Sequence, residues 1–304
     1  MSGSEPRVLV TGAAGFIGSR LVERLTPPAV VATCHQVPSP GAVVFDAGSM
    51  SLAETVLQQH PQLTHAFLLH GIGKLETCAR EPAATAHINV DRMQRMIDEL
   101  IARRIKVVFT SSDAVFDGTR GSWTEEDAQN PVLTYGRHKA AVERHLQQQP
   151  APWLIARLSK VVGLGSSDHS LFGEWIRCIN SGAPIRCADD LVFTPIDVDD
   201  VVTALIELAT GPYSGIYNVC GPRSMTRLEL LQIFLGAVRQ FREVRNDVIP
   251  CSIHEFPASE ERPLNQSMLP DKTCRTLGRP WATMETVCAR VAARVYGPAA
   301  AVRA

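Results

Sequence analysis

An open, doubly wound α/β fold, a parallel sheet with helices on both faces followed by a smaller C-terminal lobe, is what this sequence predicts. Two observations carry the prediction. Short apolar, β-branched runs alternate with segments of helical period through the first half of the chain, and repeated strand-then-helix units require parallel strands joined by crossovers. Three glycines, Gly12, Gly15 and Gly18, stand directly after the first apolar run and at the start of the first helical segment, where an α/β unit must turn sharply.

The strands are read at residues 7–11, 30–34, 43–45, 66–69, 106–110 and 154–157, and the helical segments at 15–25, 52–59, 83–103 and 135–149. After Val162 the character changes. Gly163, Gly165 and Ser166 open a loop, a helix is expected over 171–180, and residues 188–190 form a polar turn. A strand-helix pair over 195–208 and a run at 216–219 return to the sheet. From Gly221 onward a helix over 227–239 sits among connections marked by Pro250, Pro257, Pro263, Pro270 and Pro280. Such a region reads as a lobe over the carboxyl edge of the sheet, where ligands bind in open α/β folds. The expected division is a sheet domain over 1–162 plus about 195–220, a ligand lobe over about 163–194 plus 221–297, and a frayed tail over 298–304.

Composition sets the class. With 304 residues, 45% of them hydrophobic and 20% charged, the chain can bury a sizeable core. A net charge of −1 gives no long-range attraction to nucleic acid or to an anionic membrane. The eight cysteines include no C-x-x-C pair and the nine histidines show no ligand spacing with carboxylates, so packed thiols, packed histidines and no metal are expected. Residues 1–7 are polar and the following apolar run is broken at once by glycine, unlike a signal peptide. No apolar stretch approaches the roughly 20 residues that span a bilayer. The cytoplasm is the expected compartment.

The glycine loop carries the first chemistry. Gly12-Ala13-Ala14-Gly15-Phe16-Ile17-Gly18 joins strand to helix, so backbone can approach a pyrophosphate while the N–H groups at the helix start favour its charge. A dinucleotide site in a Rossmann-type domain follows. At the end of the second strand stand Cys34, His35 and Gln36. With no carboxylate there to repel a 2′-phosphate, NADP(H) is favoured over NAD(H), although no arginine stands there to bind it.

Tyr135 and Lys139 lie four apart at the start of a helical segment and so share a face. A nearby ammonium is expected to lower the tyrosine, whose unperturbed value is about 10, toward a useful range for proton transfer. Carbonyl reduction needs such a group, because a nicotinamide supplies the hydride and the phenol supplies the proton. Ser112 closes the strand at 106–110, where a hydroxyl can also hydrogen-bond the reacting carbonyl oxygen.

These pieces, with T-G-A-A-G-F-I-G at 11–18, S-S-D-A-V-F-D-G at 111–118, Y-G-R-H-K at 135–139, R-L-S-K-V-V-G at 157–163, P-I-D-V-D-D-V at 195–201, I-Y-N-V-C-G-P at 216–222 and R-P-L-N at 262–265, resemble the dTDP-4-dehydrorhamnose reductase branch of the extended short-chain dehydrogenases. The resemblance implies an oxidoreductase of deoxysugar biosynthesis, with Ser112, Tyr135 and Lys139 catalytic. It implies a cofactor held by Gly12, Gly15, Phe16, Ile17, Gly18, Tyr135 and Lys139, with Asp46 and Ala47 on the adenine side and Leu69, His70 and Gly71 on the nicotinamide side. It assigns Ser112, Asp113, Lys160, Arg262 and Asn265 to a nucleotide-sugar substrate, and it admits a homodimer. Ser112 is followed by Asp113 and Ala114 rather than by the Asp-Glu pair of the sugar dehydratases, so elimination is disfavoured. Ala114 and Lys160 stand where the reductases usually carry an aromatic and a tryptophan, which leaves a different sugar open. A 4-epimerase using the same triad, and a non-catalytic subunit similar to the regulatory subunit of methionine adenosyltransferase, are the alternatives.

Overall fold

The computed structural model describes residues 7–25, 29–35, 41–164 and 170–298. Gln36, the loop positions Gly165 and Ser166, and the tail beyond 298 lie outside the described residues. The elements run β1 (Val8–Thr11), α1 (Phe16–Leu25), β2 (Val30–Cys34), β3 (Val43–Val44), β4 (His65–Leu68), α2 (Leu75–Arg80), α3 (Pro82–Ala86), α4 (Met93–Ile101), β5 (Lys106–Ser112), α5 (Thr134–Gln147) and β6 (Trp153–Leu158). There follow β7 (Val161–Val162), α6 (Leu171–Ser181), β8 (Ile185–Ala188), β9 (Val192–Phe193), β10 (Ile196–Asp197), α7 (Val198–Thr210), β11 (Gly215–Val219), β12 (Met225–Thr226), α8 (Arg227–Val238), β13 (Val248–Cys251), α9 (Asp271–Leu277) and α10 (Met284–Tyr296). No helix among the described residues is long and apolar enough to cross a membrane.

Seven strands form one sheet in the order β11-β6-β5-β4-β1-β2-β3. The pairs from β6 through β3 are parallel, with Val8 opposite Val30 on one side and His65 on the other. The chain winds outward from β1 to β3, then crosses back to β4 and winds the other way. The order therefore reverses between β1 and β4, which opens a crevice at their carboxyl ends.

The residues divide into two packed units. The first takes the chain up to Asp117, then Ala128–Leu158 and Val202–Tyr217; the second takes Gly118–Asp127, Ser159–Val201 and the chain from Asn218. One face of the first unit's sheet is covered by a core in which Leu9, Leu68, Ile97, Leu100, Phe109 and Ile155 are all fully buried. Each such side chain contributes about 1.5–3 kcal/mol by leaving water. The single helix expected over 83–103 is α3, then a wider π-type stretch at His87–Arg92, then α4, and a similar π-type stretch replaces the helix expected at 52–59. In the first of these the Asn89 side chain is tied to the 71–73 loop.

The second unit rests on Phe172, Trp175 and Phe234, whose rings lie 4.8–6.1 Å apart. Its strands form three two-stranded sheets, β10-β7, β12-β9 and β13-β8. The strand expected from residue 195 is thus paired with β7 rather than with the large sheet. Residues 118–127 join this unit through backbone: Trp123 N–H donates to the Ser267 carbonyl at 2.9 Å, and Asn265 N–H donates to the Gly118 carbonyl at 3.0 Å.

Candidate active site

The glycine turn does what its spacing demands. Gly12 has φ +70°, and a Cβ on it would press within 2.9 Å of the His70 amide nitrogen, so only glycine lets the turn sit against the start of the 69–73 loop. Gly15 N–H donates to the Gly12 carbonyl at 3.0 Å, and any side chain on Gly18 would run into that same carbonyl. Phe16, Ile17 and Gly18 form the first turn of α1.

At the crevice between β1 and β4 lies a cavity of about 440 Å³ within the first unit. Gly12, Gly15, Asp46, Ala47, Leu69, His70 and Gly71 line it, as do residues not expected from the sequence, notably Thr11, Thr33, Phe45, Ile72 and Ile88. Apolar walls of Phe45, Ile72 and Ile88 suit a flat heteroaromatic ring, and the glycine turn presents bare backbone to a diphosphate. The cradle that a Cβ would close makes this residue set fit a dinucleotide.

At one end of the cavity Asp46 accepts from Gly48 N–H at 2.9 Å and from the Ser49 hydroxyl at 2.7 Å, and lies 3.3 Å from His35 Nε2. The Ser49 and Gly48 hydrogen bonds, helped by His35, hold its carboxyl below the usual value. Arg92, on the π-type stretch, fixes the same loop by donating from Nε to the Ala47 carbonyl at 2.6 Å and from Nη2 to that of Met50. Nothing in the sequence pattern marked Arg92, since its role depends on a loop 45 residues away.

At the other end, His70 Nδ1 lies 2.8 Å from Thr11 Oγ1, while its Nε2 is buried with no hydrogen-bond partner among the described residues. Burial, and then the charge of Lys139, pull its pKa down to about 4, so the ring is neutral at pH 7. An unsatisfied buried acceptor costs about 1–3 kcal/mol.

Lys139 donates from Nζ to the Thr110 carbonyl at 2.8 Å and stands 4.6 Å above the Phe109 ring, with Tyr135's ring centroid at 5.6 Å. Burial lowers its pKa to about 8, against an opposing pull from Glu143 and Cys78. The expected lowering of Tyr135 is not found. Burial, followed by the electrostatic influence of Asp113 and Cys78, pushes the phenol above its ordinary value. The phenol is thus held protonated.

Ser112 caps the short turn Asp113–Val115, accepting from Ala114 N–H at 3.2 Å and donating to Asp113 Oδ1 at 2.8 Å. The hydroxyl expected to meet the substrate is thus the cap of this turn. A Cβ on Gly136 would strike the Ala114 carbonyl, so the glycine after Tyr135 is what lets α5 close on that turn. Behind Lys139, one helical turn on, the fully buried Glu143 is gripped by Arg157 through Nε at 3.2 Å and Nη2 at 2.9 Å, with Gln129 as a further donor.

The remaining expected substrate residues belong to the second unit. Lys160 is exposed between β6 and β7. Arg262 donates from Nη2 to the Pro257 carbonyl at 3.4 Å. Asn265 is occupied internally, its Oδ1 accepting from the Ser267 hydroxyl at 2.8 Å and its Nδ2 donating to the Arg120 carbonyl at 3.3 Å. No group of three or more His, Cys, Asp or Glu among the described residues is placed to hold a metal.

A reversing parallel sheet, a glycine turn at its switch point and a Tyr-x-x-x-Lys helix beside it define the extended short-chain dehydrogenase architecture. Residues 6–296 match the family described as the RmlD substrate binding domain, and the chain belongs to that family. Among its relatives, the dTDP-4-dehydrorhamnose reductase of Sinorhizobium fredii is 23% identical over 287 residues, covering 90% of this chain and 92% of the relative. The fold matches the dTDP-4-dehydrorhamnose reductase of Bacillus anthracis in complex with NADP, with a TM-score of 0.83, 22% identity and coverage of 95% of this chain and 99% of that one. It also matches the UDP-glucose 4-epimerase of Thermus thermophilus in complex with NAD, with a TM-score of 0.80, 21% identity and coverage of 96% and 99%.

Proposed function

We propose that this protein reduces a keto group on a nucleotide-activated 4-keto-6-deoxysugar, as its reductase relatives' names describe. A nicotinamide dinucleotide, when bound, supplies the hydride. The observation that carries the reading is the protonated Tyr135 on α5, with Lys139 on the same face and the dinucleotide-sized cavity within the same unit. Tyr135 gives its phenolic proton to the oxygen that becomes an alkoxide, and the Lys139 ammonium stabilises the phenolate left behind. Ser112 turns its hydroxyl from Asp113 to that same oxygen. Lys160, Arg262 and Asn265 remain the proposed contacts to the sugar nucleotide.

NADPH is the preferred donor. The Gly48 N–H and Ser49 hydroxyl on the Asp46 carboxylate, with His35 Nε2 at 3.3 Å, temper its repulsion of a 2′-phosphate.

The purified protein mixed with NADPH and dTDP-4-keto-6-deoxyglucose should consume the reduced cofactor, followed by its absorbance, and NADH should serve less well. No consumption with this or any related keto-sugar, or retention of tightly bound NAD through purification, would sink the reductase reading.

A further inference from the structure

Arg92 grips a surface turn from behind the cofactor cavity's wall. It closes the π-type stretch His87–Arg92, and its guanidinium donates from Nε to the Ala47 carbonyl at 2.6 Å and from Nη2 to the Met50 carbonyl. The turn it reaches is held internally by Asp46. Gly48 N–H and the Ser49 hydroxyl donate to the Asp46 carboxylate, and the Ser49 and Met50 N–H groups donate to the Asp46 carbonyl at 3.2 and 2.8 Å. The strand before the turn, β3, is two residues long and lies at the edge of the sheet. Ser49 and Met50 are exposed, so little apolar burial fixes the turn to the body of its unit.

A second grip lies two helical turns on. Glu99 of α4 accepts from Ala53 N–H at 2.8 Å and from the Ser51 hydroxyl at 3.3 Å. The cation takes carbonyls and the carboxylate takes an N–H and a hydroxyl, so the two side chains hold successive parts of one segment with charge-assisted bonds. A Cβ on Gly48 would come within 3.0 Å of Ile88 Cδ1, which puts the turn directly against the π-type stretch. Asp46, Ala47, Gly48 and Ile88 all line the cavity, and Arg92 acts on that wall through its backbone carbonyls. A planar fork fixed to two carbonyls three residues apart sets both the position and the tilt of the turn, where a single ammonium could reach one. A wall that is out of place part of the time weakens binding in proportion, because apparent affinity follows the competent fraction.

We propose that Arg92 is a positioning residue for the adenine half of the cofactor, keeping the Asp46–Gly48 wall of the cavity preformed by clamping the Ala47 and Met50 carbonyls. This rests on the dinucleotide reading above and adds to it a residue that acts through the loop rather than on the ligand.

The test compares Arg92→Met, which keeps an apolar stem and loses both donors, with Arg92→Lys, which keeps the charge and can reach one carbonyl. On the full chain without ligand, amide hydrogen exchange is followed over residues 46–53 and over β1. Affinities are then measured for NADPH, for 2′,5′-ADP as the adenine half alone, and for reduced nicotinamide mononucleotide as the other half. Arg92→Met should speed exchange over 46–53 but not in β1. It should weaken 2′,5′-ADP and NADPH by one common factor of about 5- to 50-fold and leave the mononucleotide unchanged, with Arg92→Lys falling between Met and wild type. Unaltered exchange, or unaltered 2′,5′-ADP affinity, in Arg92→Met overturns the proposal. So does an Arg92→Lys protein that binds like wild type, since charge alone would then suffice, or a loss shared by the mononucleotide, which would mean a general disturbance of the unit. A wild-type protein that binds neither NADPH nor 2′,5′-ADP refutes the dinucleotide reading itself, and the role of the clamp with it, even where exchange responds as expected.

Discussion

The two ends of the cavity are built from similar residues and behave differently. At the Asp46 end a histidine and a carboxylate meet with 61% and 40% of their side chains exposed, and Asp46 is lowered by its Ser49 and Gly48 hydrogen bonds, with help from His35. At the His70 end, burial dominates. The histidine is pushed down to about 4, the lysine down to about 8 and the phenol up. One end is wet, its walls formed by backbone and exposed polar groups. The other is dry, and there desolvation decides which groups carry a proton at pH 7.

If the dry end does the chemistry, its removal should cost most. Tyr135→Phe keeps the ring and its packing and deletes only the transferable proton, so kcat should fall by about 10²–10⁴-fold with NADPH affinity unchanged. A kcat within a few-fold of wild type would show that the proton comes from elsewhere.

The Glu143–Arg157 pair comes next, at 0% and 2% side-chain exposure. Glu143→Ala leaves Arg157 as an uncompensated buried charge and should cost about 3–5 kcal/mol in chemical denaturation. Glu143→Gln is the finer instrument. It retains an oxygen acceptor for Arg157 while removing the charge that holds Lys139 up, so the alkaline limb of kcat/KM should move to lower pH. Wild-type activity should be fullest below about pH 8 and decline above it, as Lys139 gives up its proton. An unmoved limb in Glu143→Gln would reduce the pair to a purely structural role.

His70 gives a stability prediction of smaller size with a definite sign. Its folded value of about 4 lies below the 6.5 of an exposed histidine, so between those values the unfolded chain binds more protons. Stability is then complete above about pH 6.5 and is lost as pH falls toward 4, by up to about 3 kcal/mol. His70→Gln, which does not titrate, should flatten that part of the melting profile, and an unchanged slope would contradict the neutral, buried state.

The same contrast explains what was legible in the sequence. The Gly12 turn, the Tyr135–Lys139 face and the strand ending at Ser112 are local patterns, and local geometry fixes their placement on strand ends and helix faces. Arg92, Glu143 with Arg157, and Nδ1 of His70 matter only through partners brought near by the sheet, 45, 14 and 59 residues away respectively. The raised Tyr135 was hidden for the same reason. The i, i+4 spacing to Lys139 is visible in the sequence, but the burial and the Asp113 influence that raise the phenol are not. Residues 118–127 join the second unit through backbone pairing with segments about 145 residues further on, and no composition change at Gly118 marks the departure.

Asp46→Asn probes the wet end, and its effect should be the smallest. The amide oxygen can still accept from Gly48 N–H, so the turn survives, and loss of a charged cap at an exposed site costs about 0.5–1 kcal/mol. What should change is the field around the adenosine ribose. With His35 left without its carboxylate partner, the ratio of NADPH to NADH affinity should rise, by less than about 10-fold because solvent screens exposed charges. A ratio that does not move would place the ribose away from Asp46 and leave the choice of cofactor to Thr33 and Cys34 at the end of β2. A fall in kcat like that of Tyr135→Phe would break the division of labour between the ends, since nothing at Asp46 is dry enough to hold a tuned proton.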